Sequence, residues 1–153
     1  MTVKCQNANI ITAKEYDNIK INTTRLIDIK KTKGFGSKVI SCFSAPKNIV
    51  KDLDADGYVI SIDYFFENLE ISFYEEELSN IDITGNKSSI NIKGVTITIG
   101  DHINKLGNVI FNTQKDNSKS IIYTACEGCN NYFVIECNQV TKEITKIYYI
   151  EMT

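Results

Sequence analysis

Nine carboxylates and no lysine or arginine fall between residues 52 and 77: Asp52, Asp54, Asp56, Asp63, Glu67, Glu70, Glu75, Glu76 and Glu77. The whole chain holds 19 acids and 17 bases, so 10 acids and 17 bases remain outside this stretch. A chain of net charge −2 is therefore split into an acidic segment and a basic remainder. Charge separated in this way builds a local negative field. Tyr58, Tyr64 and Tyr74 are interleaved with the acids. Acids steer an encounter with a basic protein, and tyrosines supply contact area once it docks. Nucleic acid would be repelled. The same pattern also fits an ordinary solvated face whose charges keep strand edges from pairing.

Within the segment, Asp52, Asp54, Asp56 and Asp63 stand at positions 1, 3, 5 and 12 of a D-x-D-x-D-G pattern, with Gly57 at position 6. Oxygen ligands at that spacing are what a calcium ion needs. The flanks do not match a helix-loop-helix site: Ser44, Lys47, Asn48 and Lys51 precede it, and Glu67 and Asn68 follow it, at positions such helices would bury. The twelfth residue is also Asp rather than the longer Glu. An Asp- and Gly-rich turn entering a strand is the competing interpretation.

Cys126-Glu-Gly-Cys129, with Cys137, offers three sulfurs toward a zinc site or a redox pair. Zinc wants four ligands, and a second such pair is missing; His102, Cys42 or Cys5 would have to complete the set from afar. Five cysteines, an odd number, fit reduced structural thiols better than a fully paired disulfide framework. His102 is the sole histidine and has no patterned nucleophile beside it. Gly34-Phe-Gly36 lacks the further Gly and Lys of a phosphate loop. Nothing here assembles a catalytic constellation or calls for a cofactor, so the chain is expected not to be an enzyme.

These residues need a scaffold. A chain of 153 residues with 42% apolar and 24% charged residues is expected to fold as one unit. There is no apolar run long enough for a membrane span, and the amino terminus lacks a signal-peptide stretch, so a cytoplasmic protein is expected. The abundance of Ile, Lys and Asn fits an AT-rich bacterial or phage-like coding sequence. Period-2 alternation predicts strands at 58–66, 69–74, 81–84, 90–92, 95–99, 121–126, 132–137 and 144–152. Gly94 marks a turn or bulge. Thr12-Ala-Lys-Glu15 is a capping box that predicts a helix over about Ala13–Ile19. Further short helices are predicted after Gly36, capped by Ser37, and after Gly100, capped by Asp101 and stopped by Gly107. The fold class expected is α+β, mostly antiparallel sheet with a few short helices.

The segments after Gly36 and Gly100 also read as tandem copies: a short amphipathic helix, a polar loop, then three or four strands. A shift of 64 places Leu69 on Phe133, Ile71 on Ile135 and Ile83 on Ile147. The copies would run over 30–85 and 90–153. Chance agreement between two strand-rich halves is the alternative.

Ile97-Thr-Ile-Gly-Asp-His-Ile-Asn-Lys-Leu-Gly107, followed by a meander, resembles the helix-plus-sheet module of small outer-membrane assembly lipoproteins. Two tandem copies resemble the β-lactamase inhibitor protein. Similar modules occur in immunity proteins of contact-dependent inhibition systems. The resemblance implies a binding scaffold without catalytic residues. Joined to the acidic segment, it leads to an expected immunity or inhibitor protein that neutralises a basic toxin, such as a nuclease. Its binding residues would be Asp52, Asp54, Asp56, Tyr58, Asp63, Tyr64, Glu67, Glu70, Tyr74, Glu75, Glu76 and Glu77. A calcium-binding or structural interaction module is the alternative.

Overall fold

The structure is a computed structural model that describes residues 8–113 and 118–151. The chain opens with β1 (Asn9–Ile10), helix α1 (Ala13–Asp17), β2 (Lys20–Ile21), β3 (Thr24–Arg25) and helix α2 (Leu26–Lys30). A 3-10 turn at Ile40–Phe43 leads into β4 (Asn48–Leu53), β5 (Val59–Phe66), β6 (Leu69–Tyr74) and β7 (Glu77–Ile83). A hairpin of β8 (Ile90–Ile92) and β9 (Val95–Ile97) follows. A second 3-10 turn at Ile103–Leu106 then leads into β10 (Asn112–Thr113), β11 (Lys119–Thr124), β12 (Asn131–Cys137) and β13 (Ile144–Glu151).

The long strands form one mixed sheet in the order β1-β11-β12-β13-β7-β6-β5-β4, with β10 also on β11. Only β1 on β11 is parallel among the described pairings of this sheet. Two antiparallel meanders thus meet where β13 pairs with β7. A small antiparallel sheet, β3-β2-β8-β9, and the helices pack on one face of the large sheet. That inner face is a continuous apolar layer: Ile62 and Phe66 of β5, Leu69, Ile71 and Phe73 of β6, Phe133 and Ile135 of β12, Ile147 and Tyr149 of β13. Burying each such side chain contributes about 1.5–3 kcal/mol. Tyr16 of α1 meets Phe133 edge-on at 6.2 Å, and Phe43 meets Phe66 at 5.7 Å, so both layers interlock through rings.

Local chemistry explains the ends of the elements. Thr12 Oγ1 accepts from the Glu15 amide at 3.0 Å and Glu15 Oε1 accepts from the Thr12 amide at 3.0 Å, so the capping box forms. The latter bond, from the Thr12 amide, holds the Glu15 carboxyl below its ordinary range. The two helices expected later in the chain are shorter than expected. Each is a single 3-10 turn that follows, a few residues on, a glycine at positive φ, Gly36 at 70° and Gly100 at 95°. Ser37 caps nothing there; Val39 holds the cap position without a side-chain bond. His102, not Asp101, caps the second, its Nδ1 accepting from the Asn104 amide at 3.1 Å. Asp101 instead accepts from the Thr98 amide and pairs with Lys105. Gly107 ends that turn as expected. Gly36 answers a second demand: any Cβ there would run into the Phe73 ring.

Candidate functional site

Register shows which acids meet. On the outer face of the large sheet, one row reads Asn48, Phe65, Glu70, Asp82, Tyr148 and Val134 across β4, β5, β6, β7, β13 and β12. The next reads Val50, Asp63, Ser72 and Asn80. A third reads Asp52, Ser61 and Tyr74. Asp52, Asp63, Glu70 and Asp82 therefore share one face. Glu70 and Asp82 stand directly opposite each other, a like-charge placement that weakens a sheet. Burial pushes the Glu70 carboxyl up, and the charges of Asp82 and Asp63 push it further. Burial likewise raises Asp82, against the pull of Lys146. Asp82 lies outside the acidic segment picked out in the sequence. The alternation Ile81-Asp82-Ile83 was the signal that placed it on this face, but its strand partner could not be known.

The ends of the same strands carry the rest. The β4–β5 turn holds Asp54 and Asp56, and the β6–β7 turn holds Glu75 and Glu76, both at positive φ. Antiparallel order puts these two turns at one end of the sheet, and the Glu75 amide bonds the Ile60 carbonyl at 2.8 Å. Tyr58 and Tyr74 stand there 72% and 51% exposed. Among the described residues, one member of the nine forms an ion pair: Glu77 with Lys33 at 3.3 Å, a solvent-exposed pair of little worth.

Two expected site residues lie apart from this cluster. Tyr64 points inward, is buried, packs edge-on against Phe73 and donates to the Phe35 carbonyl at 3.1 Å. It follows the parity of Ile62 and Phe66 rather than of its acidic neighbours. Glu67 sits in the β5–β6 turn, at the other end of the sheet from Asp54 and Glu75.

The calcium pattern folds as a hairpin. Asp52 lies in β4 and Asp63 in β5, each opposite an uncharged residue. Asp54 Oδ1 accepts from the amides of Asp56 and Tyr58, both at 2.9 Å, which fastens the turn. Among the described residues no group of three or more His, Cys, Asp or Glu is placed to hold a metal. The zinc candidates are likewise apart. Cys137 is buried in β12 with its thiol pushed up by burial, Cys42 is exposed, and Cys5 lies outside the described residues.

Cys126 and Cys129 are not the reduced thiols expected. They form a disulfide across the β11–β12 turn, with Cα atoms 5.4 Å apart. Gly128, at φ 81°, lets the chain turn tightly enough to bring them together.

No family model matches the chain. No curated protein matches it either. A solved structure does. The fold is similar to that of a cysteine-rich secretory protein from Staphylococcus aureus subsp. aureus Mu50, with a TM-score of 0.52 at 13% identity, covering 94% of this chain and 50% of that one. The chain spans half the length of that neighbour, and at this identity the likeness is one of fold. No helix among the described residues is long and apolar enough to cross a membrane.

Proposed function

We propose that the chain is an immunity or inhibitor protein that captures a basic protein toxin on the acidic arm of its sheet. The observation that carries this reading is the Asp63–Glu70–Asp82 cluster. Like charges facing each other across strands lower stability, and a fold keeps such a placement most readily when a partner's cations relieve it. Exposed Tyr58 and Tyr74 beside Asp54, Asp56, Glu75 and Glu76 add contact area of the kind interfaces favour.

The module is further proposed to be duplicated. Support comes from the seam: Ile81 pairs with Tyr149 and Ile83 with Ile147. Exchanging each β7 residue with the one 66 positions later turns one pair into the other, with Asp82 opposite Tyr148 on the local twofold axis. Leu69 and Phe133 keep the shift of 64; the loop between β12 and β13 takes up the difference.

The Cys126–Cys129 bond suits an oxidising compartment better than the cytoplasm. Thiol titration of the protein taken from its native host, under acid quench, decides between the two.

The functional test starts with the protein encoded beside this gene. It should be inhibited by the purified chain, with an association rate that falls steeply as salt rises. Replacing Glu75, Glu76 and Glu77 by Lys should slow association by about tenfold or more at low salt and flatten that dependence. Absence of inhibition, or rates unchanged in the triple variant, would refute the acidic arm as the docking site.

A further inference from the structure

The β11–β12 turn stands on a base that closes without its disulfide. Tyr123 faces Phe133 in the ladder below the turn. The Ile11 amide bonds the Thr124 carbonyl at 3.0 Å. The Thr124 hydroxyl, on a residue 1% exposed, lies 3.2 Å from the Asn131 carbonyl and 3.3 Å from the Cys126 carbonyl. Inside the turn the Cys129 amide donates to the Cys126 carbonyl at 3.3 Å. Backbone bonds and a buried threonine therefore hold the chain reversal. The Cys126–Cys129 bond joins residues only three apart. A cross-link that closes so short a loop restricts the unfolded chain less than one that closes a long loop. Stapling the fold accounts for little of it.

Access and charge account for more. Cys126, Glu127 and Gly128 are exposed, and Cys129 is half-buried. Exchange goes to the sulfur that a thiolate can reach, so Cys126 Sγ is the atom attacked and Cys129 the leaving group. Cys137, buried in β12 with its thiol pushed up by burial, does not compete. Glu127 lies between the two cysteines. Asn130, next after Cys129, lines a cavity of about 520 Å³ with Tyr74, Glu75, Glu77 and Glu151. Carboxylates on both sides of the turn disfavour an anionic thiol and favour a neutral or cationic one.

We propose that Cys126–Cys129 is a reversible thiol–disulfide exchange site, whose co-reactant is a dithiol with neutral or basic flanks. One thiolate of the dithiol attacks Cys126 Sγ. A new S–S bond forms as the Cys126–Cys129 bond breaks, and Cys129 leaves as a thiolate that takes up a proton. The second thiolate of the dithiol then attacks the reagent sulfur of the mixed disulfide, and Cys126 is released as a thiol. Two electrons pass to the protein, and the dithiol ends as a disulfide. This stands apart from the toxin reading, and neither needs the other.

The oxidised, purified full chain tests it, treated with dithiothreitol without denaturant, quenched in acid, alkylated and read peptide by peptide by mass spectrometry. Cys126 and Cys129 should become reduced at a rate within about tenfold of that of oxidised glutathione. Circular dichroism should not change, and oxidised glutathione should restore the bond. At low salt and equal thiolate concentration, cysteamine should open the bond about tenfold faster than 3-mercaptopropionate, and added salt should close that gap. Toward oxidised glutathione, Cys129→Ser, which keeps Cys126, should form its mixed disulfide about tenfold faster than Cys126→Ser. A bond that opens only in unfolding urea overturns the proposal, as does one whose loss takes the circular dichroism with it or one that oxidised glutathione does not restore. Equal rates in the two variants overturn Cys126 as the attacked sulfur, and equal rates with the two small thiols overturn the choice of co-reactant.

Discussion

The two halves of the large sheet are made from the same kind of strand, yet they face water differently. Strand β12 is buried on both sides: Phe133, Ile135 and Cys137 look into the core, and Tyr132 and Val134, on the other face, are buried as well. Strand β4 is exposed along its whole length. Between them, β5, β6 and β7 keep an apolar inner face and carry Asp63, Glu70 and Asp82 on the outer one. Period-2 geometry makes this division possible, because inner and outer residues of one strand answer to different surroundings. Stability is concentrated at the β12 end and along the inner layer, which leaves the outer face of the acidic arm free for other uses.

Truncation to alanine in the two halves should separate them, because one site is buried and the other is exposed. Phe133→Ala empties a fully buried site that touches the rings of Tyr16 and Tyr149, and should lower stability by about 3–5 kcal/mol in urea titrations. Val50→Ala at the far edge should change it by about 0.5 kcal/mol or less. Comparable losses at the two sites would show that the β4 end is as tightly built as β12. Gly36→Ala probes the acidic arm from inside. It adds a methyl group into the Phe73 ring at a backbone φ of 70° that L residues resist, and should cost about 2–4 kcal/mol.

The outer face can be tested by pH. Folding raises the carboxyls of Glu70 and Asp82 above their unfolded range, chiefly through burial. The folded state therefore holds protons more tightly than the unfolded one, so these groups add stability in acid and lose it as pH rises through their raised values. Asp82→Asn removes one titrating group and the repulsion on Glu70 together. The variant should be more stable than the parent near neutral pH, with the difference narrowing toward about pH 4. A parent whose stability relative to Asp82→Asn does not depend on pH would mean that the cluster is too well solvated to matter.

How much of this could be seen in the residues follows from the same division. The strands that became β5 to β9 and β13 alternate apolar and polar side chains, because each has one face in the core, while β11 and β12 carry short apolar runs, so the positions of all of them were legible. Strand β4 was not: nothing in Asn48–Leu53 is buried, so burial imposes no alternation there, and its lysines read as loop. Helix α2 escaped because five residues are too few to display a 3.6-residue period. The acidic character of the site was visible in composition. Which acids meet depended on register: Asp82 joined from outside the segment, Glu67 fell at the opposite end, and Tyr64 turned inward by parity. The bond between Cys126 and Cys129 depended on a turn whose geometry spacing alone does not give.

A small effect of the opposite sign to the core truncations is expected in the buried half. Tyr16 is 2% exposed, and its hydroxyl has no hydrogen-bond partner among the described residues. Burial raises its phenol far above the ordinary range, with the charges of Glu151 and Asp17 adding to it. Leaving a polar group unpaired in the interior lowers stability, while its ring remains a favourable contact for Phe133. Tyr16→Phe keeps the ring and removes the orphaned oxygen, so it should leave stability unchanged or raise it by about 1 kcal/mol in urea titrations. Tyr16→Ala, which removes the ring too, should lose about 3–5 kcal/mol. A clear loss in Tyr16→Phe would mean that the hydroxyl is bound in solution, by an internal water or by the Glu151 side chain, and that the β12 end is held by a polar contact as well as by packing.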